Sequence, residues 1–153
     1  MGENNSDIVI NHKVVTASDI DRINKQGNIE IINFNFCTIS GDNISFAPPL
    51  YQLIFAYSLV DYNSINGLDG LKELEIVNDE EDEIEVDIKD LLKFPNIETL
   101  RIYNSKIINA KEITKFTNLK ELYLDGSTVD VEDFAKMLNE SVKLSHNDVY
   151  LFD

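Results

Sequence analysis

A six-residue pattern with apolar residues at its first, fourth and sixth positions recurs five times and constrains the fold more than any other feature. Successive copies start 21, 21, 26 and 22 residues apart. At 43% apolar composition, one fixed alignment of all fifteen apolar positions would arise by chance on the order of a few times in a million. An internal period of this length predicts stacked units that share one core. The copies are Ile29–Phe34, Leu50–Phe55, Leu71–Ile76, Ile97–Ile102 and Leu119–Leu124.

Side chains alternate along a strand, so each unit has a buried row and an exposed row. The fourth and sixth positions are predicted to point into the core, and the third, fifth and approximately the seventh to point out. The ninth position holds a small or polar residue that turns the chain: Cys37, Ser58, Asp79, Ser105 and Ser127. The eleventh is apolar in four units of five: Ile39, Val60, Glu81, Ile107 and Val129. The pattern predicts parallel strands over continuous apolar columns, with Cys37 buried.

These positions resemble the LxxLxLxx(N/C/S)xL consensus of leucine-rich repeat proteins over roughly residues 29–140. Ser or Asp mostly replaces the consensus Asn, and Ile and Phe often replace Leu. The resemblance implies an α/β repeat fold: a short leucine-rich repeat solenoid with a curved parallel β-sheet, a 3-10 and helical outer face, and caps at both ends. Such a fold is shared by proteins of many functions.

The predicted organisation is a single domain with an N-terminal cap (1–28), five repeats (29–141) and a C-terminal cap (142–153). In the first cap, 7–10 reads as a strand, and 13–15 either pairs with it as a hairpin or continues as coil. Residues 16–23 read as a short helix with a serine N-cap, and Gly27 as its terminator. In the second cap, 142–144 and 149–152 alternate as strands, for which a hairpin is one arrangement.

The later connections between units have helical spacing. Helices are predicted over 87–94, 109–116 and 131–140, the last being the best, with Phe134, Met137 and Leu138 on one face. Residues 78–90 form an insertion in which Glu81 occupies the apolar eleventh position. We expect the insertion to bulge outward, and Ile84, Val86 or both to restore the inward contact.

The negative net charge restricts which kinds of partner the chain can bind. Thirteen basic residues oppose twenty-eight acidic ones, giving a net charge of −15. Such a chain repels nucleic acids and anionic membranes, so a charged partner is predicted to be a basic protein; solubility alone is the other explanation. The acidic N-terminus does not resemble a secretory signal, no stretch approaches 18 apolar residues, and one cysteine gives no disulfide framework. These features predict a cytoplasmic protein.

Few residues suggest catalysis or metal binding. Five consecutive acidic residues could bind a hard cation, but they lack the glycine and the ligand spacing of an EF-hand loop, and a solvated loop or a docking patch explains them as well. His12 and His146 are isolated, and Cys37 is predicted to be buried rather than nucleophilic. Phosphate-binding, dinucleotide and hydrolase motifs are absent from the sequence. We therefore predict no enzyme activity, cofactor or metal.

Two surfaces are predicted to bind a protein partner, and the sequence does not choose between them. On the concave face of the sheet, aromatic residues lie among charged ones, as in many protein interfaces. The candidates there are Ile54, Glu73, Glu75, Arg101, Tyr103, Glu121, Tyr123 and Asp125. The second surface is the acidic loop, defined as Asp79, Glu80, Glu81, Asp82 and Glu83. The oligomeric state is left open.

Two functions are compatible with these features. The first is an acidic inhibitor, such as an immunity protein that neutralises a basic toxin, for example a nuclease, by presenting carboxylates where phosphates would bind. Some leucine-rich repeat proteins are tight ribonuclease inhibitors, so the resemblance allows this role. The alternative is a general adaptor or scaffold whose partner need not be basic. Salt dependence of binding distinguishes them, because salt screens charge–charge attraction.

Overall fold

Each repeat unit forms a strand where its first apolar residues alternate and a shorter strand around its eleventh position. The computed structural model describes residues 6–41, 43–144 and 150–151. The strands are β1 (Ser6–Asn11), β2 (Val14–Val15), β3 (Ile29–Asn35), β4 (Thr38–Ile39), β5 (Gln52–Ala56), β6 (Leu59–Val60), β7 (Glu73–Val77), β8 (Glu85–Asp87), β9 (Thr99–Tyr103), β10 (Lys106–Ile108), β11 (Glu121–Tyr123), β12 (Thr128–Val129), β13 (Lys143–Leu144) and β14 (Tyr150–Leu151). The α-helices are α1 (Ala17–Gln26), α2 (Ile88–Leu91) and α3 (Phe134–Met137), and 3-10 helices span Tyr62–Ser64 and Ala110–Lys115.

The longer strands form one parallel sheet, here called the main sheet, in the order β1-β3-β5-β7-β9-β11-β13. The shorter strands form two further parallel sheets, β2-β4-β6 and β8-β10-β12-β14. Every strand therefore pairs with the equivalent strand of a neighbouring unit, except that β6 and β8 do not pair. The chain is an α/β protein with parallel sheets and few helices, in agreement with the broad fold class predicted from the sequence.

The pairing register confirms the predicted alignment of the five units. Leu53 lies opposite Ile32 on one side and Leu74 on the other. Leu100 lies opposite Leu74 and Leu122. The fourth positions of all five units are thus in register, including across the longer spacing of 26 residues.

The register stacks the inward side chains into continuous buried columns. Phe34 and Phe55 stack with ring centroids 5.5 Å apart, and Phe46 packs edge-on against Phe34. The second strands add a column at the eleventh position, where Val60 is only partly buried. The buried members are Ile32, Leu53, Leu74, Leu100 and Leu122 at the fourth position, Phe34, Phe55, Ile76, Ile102 and Leu124 at the sixth, and Ile39, Ile107 and Val129 at the eleventh. Val15 of β2 and Val86 of β8 pair into this last column.

Both ends of the chain continue this pairing. β1 pairs in parallel with β3, and β2 with β4, so the hairpin and the coil considered for 13–15 are both wrong. At the other end β13 pairs with β11 and β14 with β12, so a hairpin there is wrong too. Both terminal segments pair with the sheets because the edge strand at each end presents unpaired backbone N–H and C=O groups, as every strand in the sheet does to its neighbour. Positions 145–149 and 152–153 of the predicted C-terminal cap lie outside the described residues.

Helix α1 is longer than predicted and starts at a different residue. Its N-cap is Thr16 rather than a serine: the Asp19 N–H donates to the Thr16 hydroxyl at 3.3 Å, and the Thr16 N–H donates to the Asp19 carboxylate at 2.9 Å. This reciprocal capping box fixes the start of the helix. Gly27 follows the last residue with a φ of 71°, as predicted for a terminator.

The later helices are shorter than predicted, and residues 131–140 do not form the best helix. Helix α3 covers four residues, because Asp133 before it adopts a left-handed φ of 53° without a side-chain cap and Leu138 after it is extended. Phe134 is nevertheless buried, with Met137 and Leu138 packed beside it. Ala110–Lys115 is a 3-10 segment that buries Ile113. A unit of 22 residues with two strands leaves room for little more than one helical turn.

Replacing Leu100 or Leu122 with Ala should lower the free energy of unfolding by about 2–5 kcal/mol, because each is a completely buried member of a column. Urea denaturation followed by circular dichroism measures the change. Leu59→Ala is the matched control: this leucine is 64% exposed, and its loss should cost under about 1 kcal/mol. Equal effects at the buried and exposed positions would contradict the column assignment.

Asp19→Ala should destabilise the protein by about 1 kcal/mol at pH 7 by removing the capping box. The Thr16 N–H and hydroxyl, Arg22 and Lys13 hold the pKa of Asp19 at about 2, below its ordinary 3.8. A carboxyl with a lowered folded-state pKa stabilises the protein fully above its unfolded pKa and loses that effect as pH falls through the folded value. The free energy of unfolding, measured by urea denaturation, should thus differ less between the unmodified protein and Asp19→Ala as the pH falls from 4 to 2. A difference that stays constant over this range would contradict the lowered pKa of Asp19.

Candidate functional site

The predicted outward rows of the main sheet lie together on one surface, which we call the exposed face. The fifth-position row runs in register through Ile54, Glu75, Arg101 and Tyr123. On one side Glu73 and Glu121 flank Thr99, and on the other Tyr103 lies opposite Val77. Asp125 follows β11, and its carbonyl accepts the N–H of the residue after Tyr103 at 3.0 Å. The structure thus brings all eight candidate face residues together.

Arg101 is the centre of an ordered network on this face. Its Nη1 lies 3.7 Å from Oε2 of Glu73, and its guanidinium lies over the Tyr123 ring at 5.1 Å from the centroid. The Tyr123 hydroxyl donates to Oε2 of Glu121 at 3.0 Å. Both Glu73 and Arg101 are about three-quarters buried, so their geometry is held by neighbours. A partner would meet side chains that are already positioned, which reduces the entropy lost on binding.

The two tyrosines of the face lie in a negative field. The hydrogen bond to Glu121, partial burial and the Glu121 charge raise the pKa of Tyr123, and Arg101 opposes the shift. Burial is the main cause of the raised pKa of Tyr103, followed by the charge of Glu75. Both phenols therefore stay neutral at physiological pH and present rings and hydroxyl groups among carboxylates.

The acidic loop is exposed and lies beside one border of the exposed face. The loop turns on Asp79, whose carboxylate accepts the Glu81 N–H at 3.0 Å. Its residues line a groove of about 450 Å³ with the segments that follow β9 and β11. The lining comprises Glu80, Glu83, Asn104, Ser105, Lys106, Gly126 and Thr128. The two surfaces predicted as alternatives are therefore neighbours.

The ninth-position assignment of Asp79 is wrong, because the insertion begins immediately after Asn78. Asp79 is exposed, whereas Asn78 is buried and its amide donates to Oγ of Ser105 at 2.8 Å. Elsewhere this position forms hydrogen bonds between units: Ser127 Oγ accepts the Ser105 N–H at 3.1 Å. As predicted, a residue of the insertion restores the eleventh-position contact, and this residue is the buried Val86.

Cys37 and His12 take part in packing. Cys37 is 2% exposed, and its thiol donates to the carbonyls of Ile10 at 3.3 Å and Asn35 at 3.4 Å. The buried position predicted for it is confirmed. The ring of His12 stacks on Phe36. His146 lies outside the described residues. Among the residues the structure describes, no group of three or more His, Cys, Asp or Glu side chains is arranged to hold a metal ion.

An aromatic stack that was not predicted lies on the surface and is formed by His12, Phe36 and Tyr57. The rings are nearly parallel, with centroids 5.0 Å and 5.1 Å apart, and Phe36 is 54% exposed. All three residues have left-handed φ angles of 51–52°, which is rare for bulky side chains. Phe36 and Tyr57 occupy the eighth position of successive units, and comparing that position between units would have shown these two aromatic residues in a row. His12 lies beside Phe36 because β1, outside the five units, pairs with β3.

No protein-family model, curated protein or solved structure matches the chain. Within the described ranges, no helix has the length and apolar character needed to cross a membrane.

Glu121→Ala should lower the pKa of Tyr123 toward the ordinary tyrosine value of 10.0, because it removes both a hydrogen-bond acceptor and a nearby negative charge. NMR titration of ¹³C-labelled tyrosine separates this residue from the other five. Glu140→Ala, which removes an exposed carboxylate elsewhere, is the control and should leave the titration unchanged. A Tyr123 titration unaffected by Glu121→Ala would show that the network does not exist in solution.

Proposed function

We propose that this chain is a short leucine-rich repeat solenoid that binds a protein without catalysis, and that it acts in the cytoplasm as an acidic inhibitor of a basic partner. An immunity protein that neutralises a nuclease toxin is the role that fits best. The observation that carries the proposal is the ordered network of Glu73, Arg101, Tyr123 and Glu121 on the exposed face. In-register parallel pairing of the consensus positions supports the repeat family.

The exposed face combines the two properties that such an inhibitor requires. Tyr103 and Tyr123 offer aromatic surface, and aromatic anchors contribute most of the binding energy in many interfaces. Glu73, Glu75 and Glu121 surround them with carboxylates, which would bind the cationic groups that a nuclease uses to hold phosphates. The cation at the centre of this network, Arg101, is already engaged by Glu73 and Tyr123, and Lys143 lies in register with Glu121 at the edge of the face.

The net charge of −15 contributes to the rate of association. Opposite charges steer two proteins together and raise the association rate constant, and salt weakens this effect. The neighbouring acidic loop extends the negative surface beyond the face. In this proposal the loop attracts the partner, and the half-buried network of the face makes the specific contacts.

An adaptor or scaffold is the second candidate, and the aromatic stack favours it. Phe36 and Tyr57 are about half exposed, and the second strands beside them add Val14 and Leu59, each 64% exposed. This surface suits a partner that need not be basic. Binding whose association rate barely changes with salt would favour the adaptor over the inhibitor.

The proposal is tested by capturing partners on the tagged protein at low salt and measuring how the bound protein is released as salt is raised. We expect one basic protein, bound stoichiometrically, whose association rate falls steeply with salt. The double variant Tyr103→Ala/Tyr123→Ala should fold normally and bind this partner at least about 30-fold more weakly, the effect expected of two hot-spot residues.

Charge reversal supplies the matched control for this experiment. Glu75→Lys places a positive charge on the exposed face and should slow association, whereas Glu140→Lys makes the same change at an exposed position outside it and should have a smaller effect. Equal effects of the two substitutions would show that the partner responds to net charge alone. Undiminished binding by the tyrosine variant would show that the exposed face is not the interface.

A further inference from the structure

The second strands are interrupted at one place, between β6 and β8. β2, β4 and β6 pair with one another, as do β8, β10, β12 and β14, but β6 and β8 do not pair. The acidic loop, which belongs to the insertion within residues 78–90, precedes β8 by one residue, Ile84. The main sheet is continuous across the same boundary, where five residues of β5 lie in register with β7. The interruption is therefore a cleft with walls held in place by the sheet behind it.

The cleft has an unpaired backbone edge on each side. The Leu59 N–H donates to the carbonyl of Cys37, just before β4, at 2.9 Å, and the Asp61 N–H donates to that of Ile39 in β4 at 2.8 Å. The intervening Val60 therefore turns its N–H and C=O toward the cleft. On the other wall the Lys106 N–H bonds the Ile84 carbonyl at 2.8 Å, so Glu85 turns its backbone groups toward the cleft. Two parallel edges that face each other present the hydrogen-bonding pattern of a missing strand.

The floor of the cleft is apolar. A cavity of about 300 Å³ lies between the two walls. Its apolar lining comprises Ile39, Phe55, Leu59, Val60, Ile76, Ile84 and Val86. Ile84 is only partly buried, and Leu59 is 64% exposed at the rim. A strand placed here would point every second side chain into this cavity, so aliphatic residues at alternate positions fit it.

The mouth of the cleft is acidic. Asp61 and Glu85 are exposed on opposite walls, and Asp87 ends β8. Burial raises the pKa of the nearby Asp90, and the charges of Asp87 and Asp61 raise it further against the opposing charge of Lys93. These carboxylates repel one another across the end of the cleft, and a cationic side chain would relieve that repulsion.

We propose that the cleft between β6 and β8 binds an extended, basic segment of a partner protein as an added β-strand. The backbone of the segment bonds both open edges, its inward aliphatic side chains fill the cavity, and its outward cations meet Asp61, Glu85 and Asp87. This mode of recognition, in which backbone bonds provide affinity and alternate pockets provide specificity, is general for open sheet edges. The site is separate from the exposed face and does not depend on the function proposed for that face.

The probe is the capped peptide acetyl-Lys-Val-Lys-Val-Lys-amide, titrated into ¹⁵N-labelled protein. We expect saturable amide shifts at Val60, Glu85 and Asp87, and slower hydrogen exchange of the Val60 and Glu85 amides. The same peptide with N-methyl groups at alternate residues cannot complete the backbone bonds and should bind at least about tenfold more weakly. The acidic peptide acetyl-Glu-Val-Glu-Val-Glu-amide should not bind. Equal binding of the methylated peptide, or no shifts at these amides, would overturn the proposal.

Ile84→Arg places a bulky cation in the cleft and should weaken binding of the basic peptide at least about tenfold. Thr128→Arg is the matched control, because it adds the same charge to the paired strand β12 and should change binding less than about twofold. Tyr103→Ala/Tyr123→Ala, on the exposed face, should bind the peptide as the unmodified protein does. If Thr128→Arg or the double tyrosine variant lost peptide binding, the peptide would bind outside the cleft.

Discussion

Parallel pairing between equivalent strands is the interaction on which the rest of the structure depends. Each unit has too few apolar residues to enclose a core, and the register of the main sheet puts the fourth and sixth side chains of neighbouring units in contact. The second strands do the same for the eleventh position, except between β6 and β8. Hydrogen bonds between units at the ninth position, such as Ser58 Oγ accepting the Cys37 N–H at 3.0 Å, fix the chain where it leaves the main sheet. Because the register is fixed, candidate residues from four separate segments meet in the exposed face.

The exposed face shows how a repeating scaffold builds a surface that no single unit contains. Arg101 belongs to one unit, Glu73 to the unit before it, and Tyr123 and Glu121 to the unit after it. Each side chain is positioned by the strand pairing and by its neighbours in the row. The same rule explains the aromatic stack, in which His12 after β1 and the eighth-position residues Phe36 and Tyr57 lie above one another because their strands do. Repeat identity thus supplies the framework, and differences between repeats supply the surface chemistry.

Periodicity made the strands and the face predictable, and its interruptions account for what was not predictable. The spacing of Leu53, Leu74 and Leu100 determined the register correctly, even across the insertion. The sequence did not reveal that Asn78 replaces Asp79 in the chain of hydrogen bonds, because a polar residue fits the consensus equally well at either position. The lengths of the later helices were overestimated because local spacing does not include the limit that the next strand imposes. The cleft could not be predicted from the sequence, because it arises where β6 and β8 do not pair, and no pattern of residues indicates a missing strand pair.

The interrupted second sheet also bears on how the molecule unfolds. In a stacked repeat protein each unit is stabilised mainly by its immediate neighbours, and cooperativity is limited by the weakest junction. At the junction between β6 and β8 the second-strand hydrogen bonds are missing, while the main-sheet bonds of β5 and β7 remain. The two parts of the chain on either side of this junction therefore stabilise each other less than neighbouring units do elsewhere. One part contains α1 and the aromatic stack, and the other contains the Arg101 network. Such a division lets one half open transiently while the other keeps its native packing.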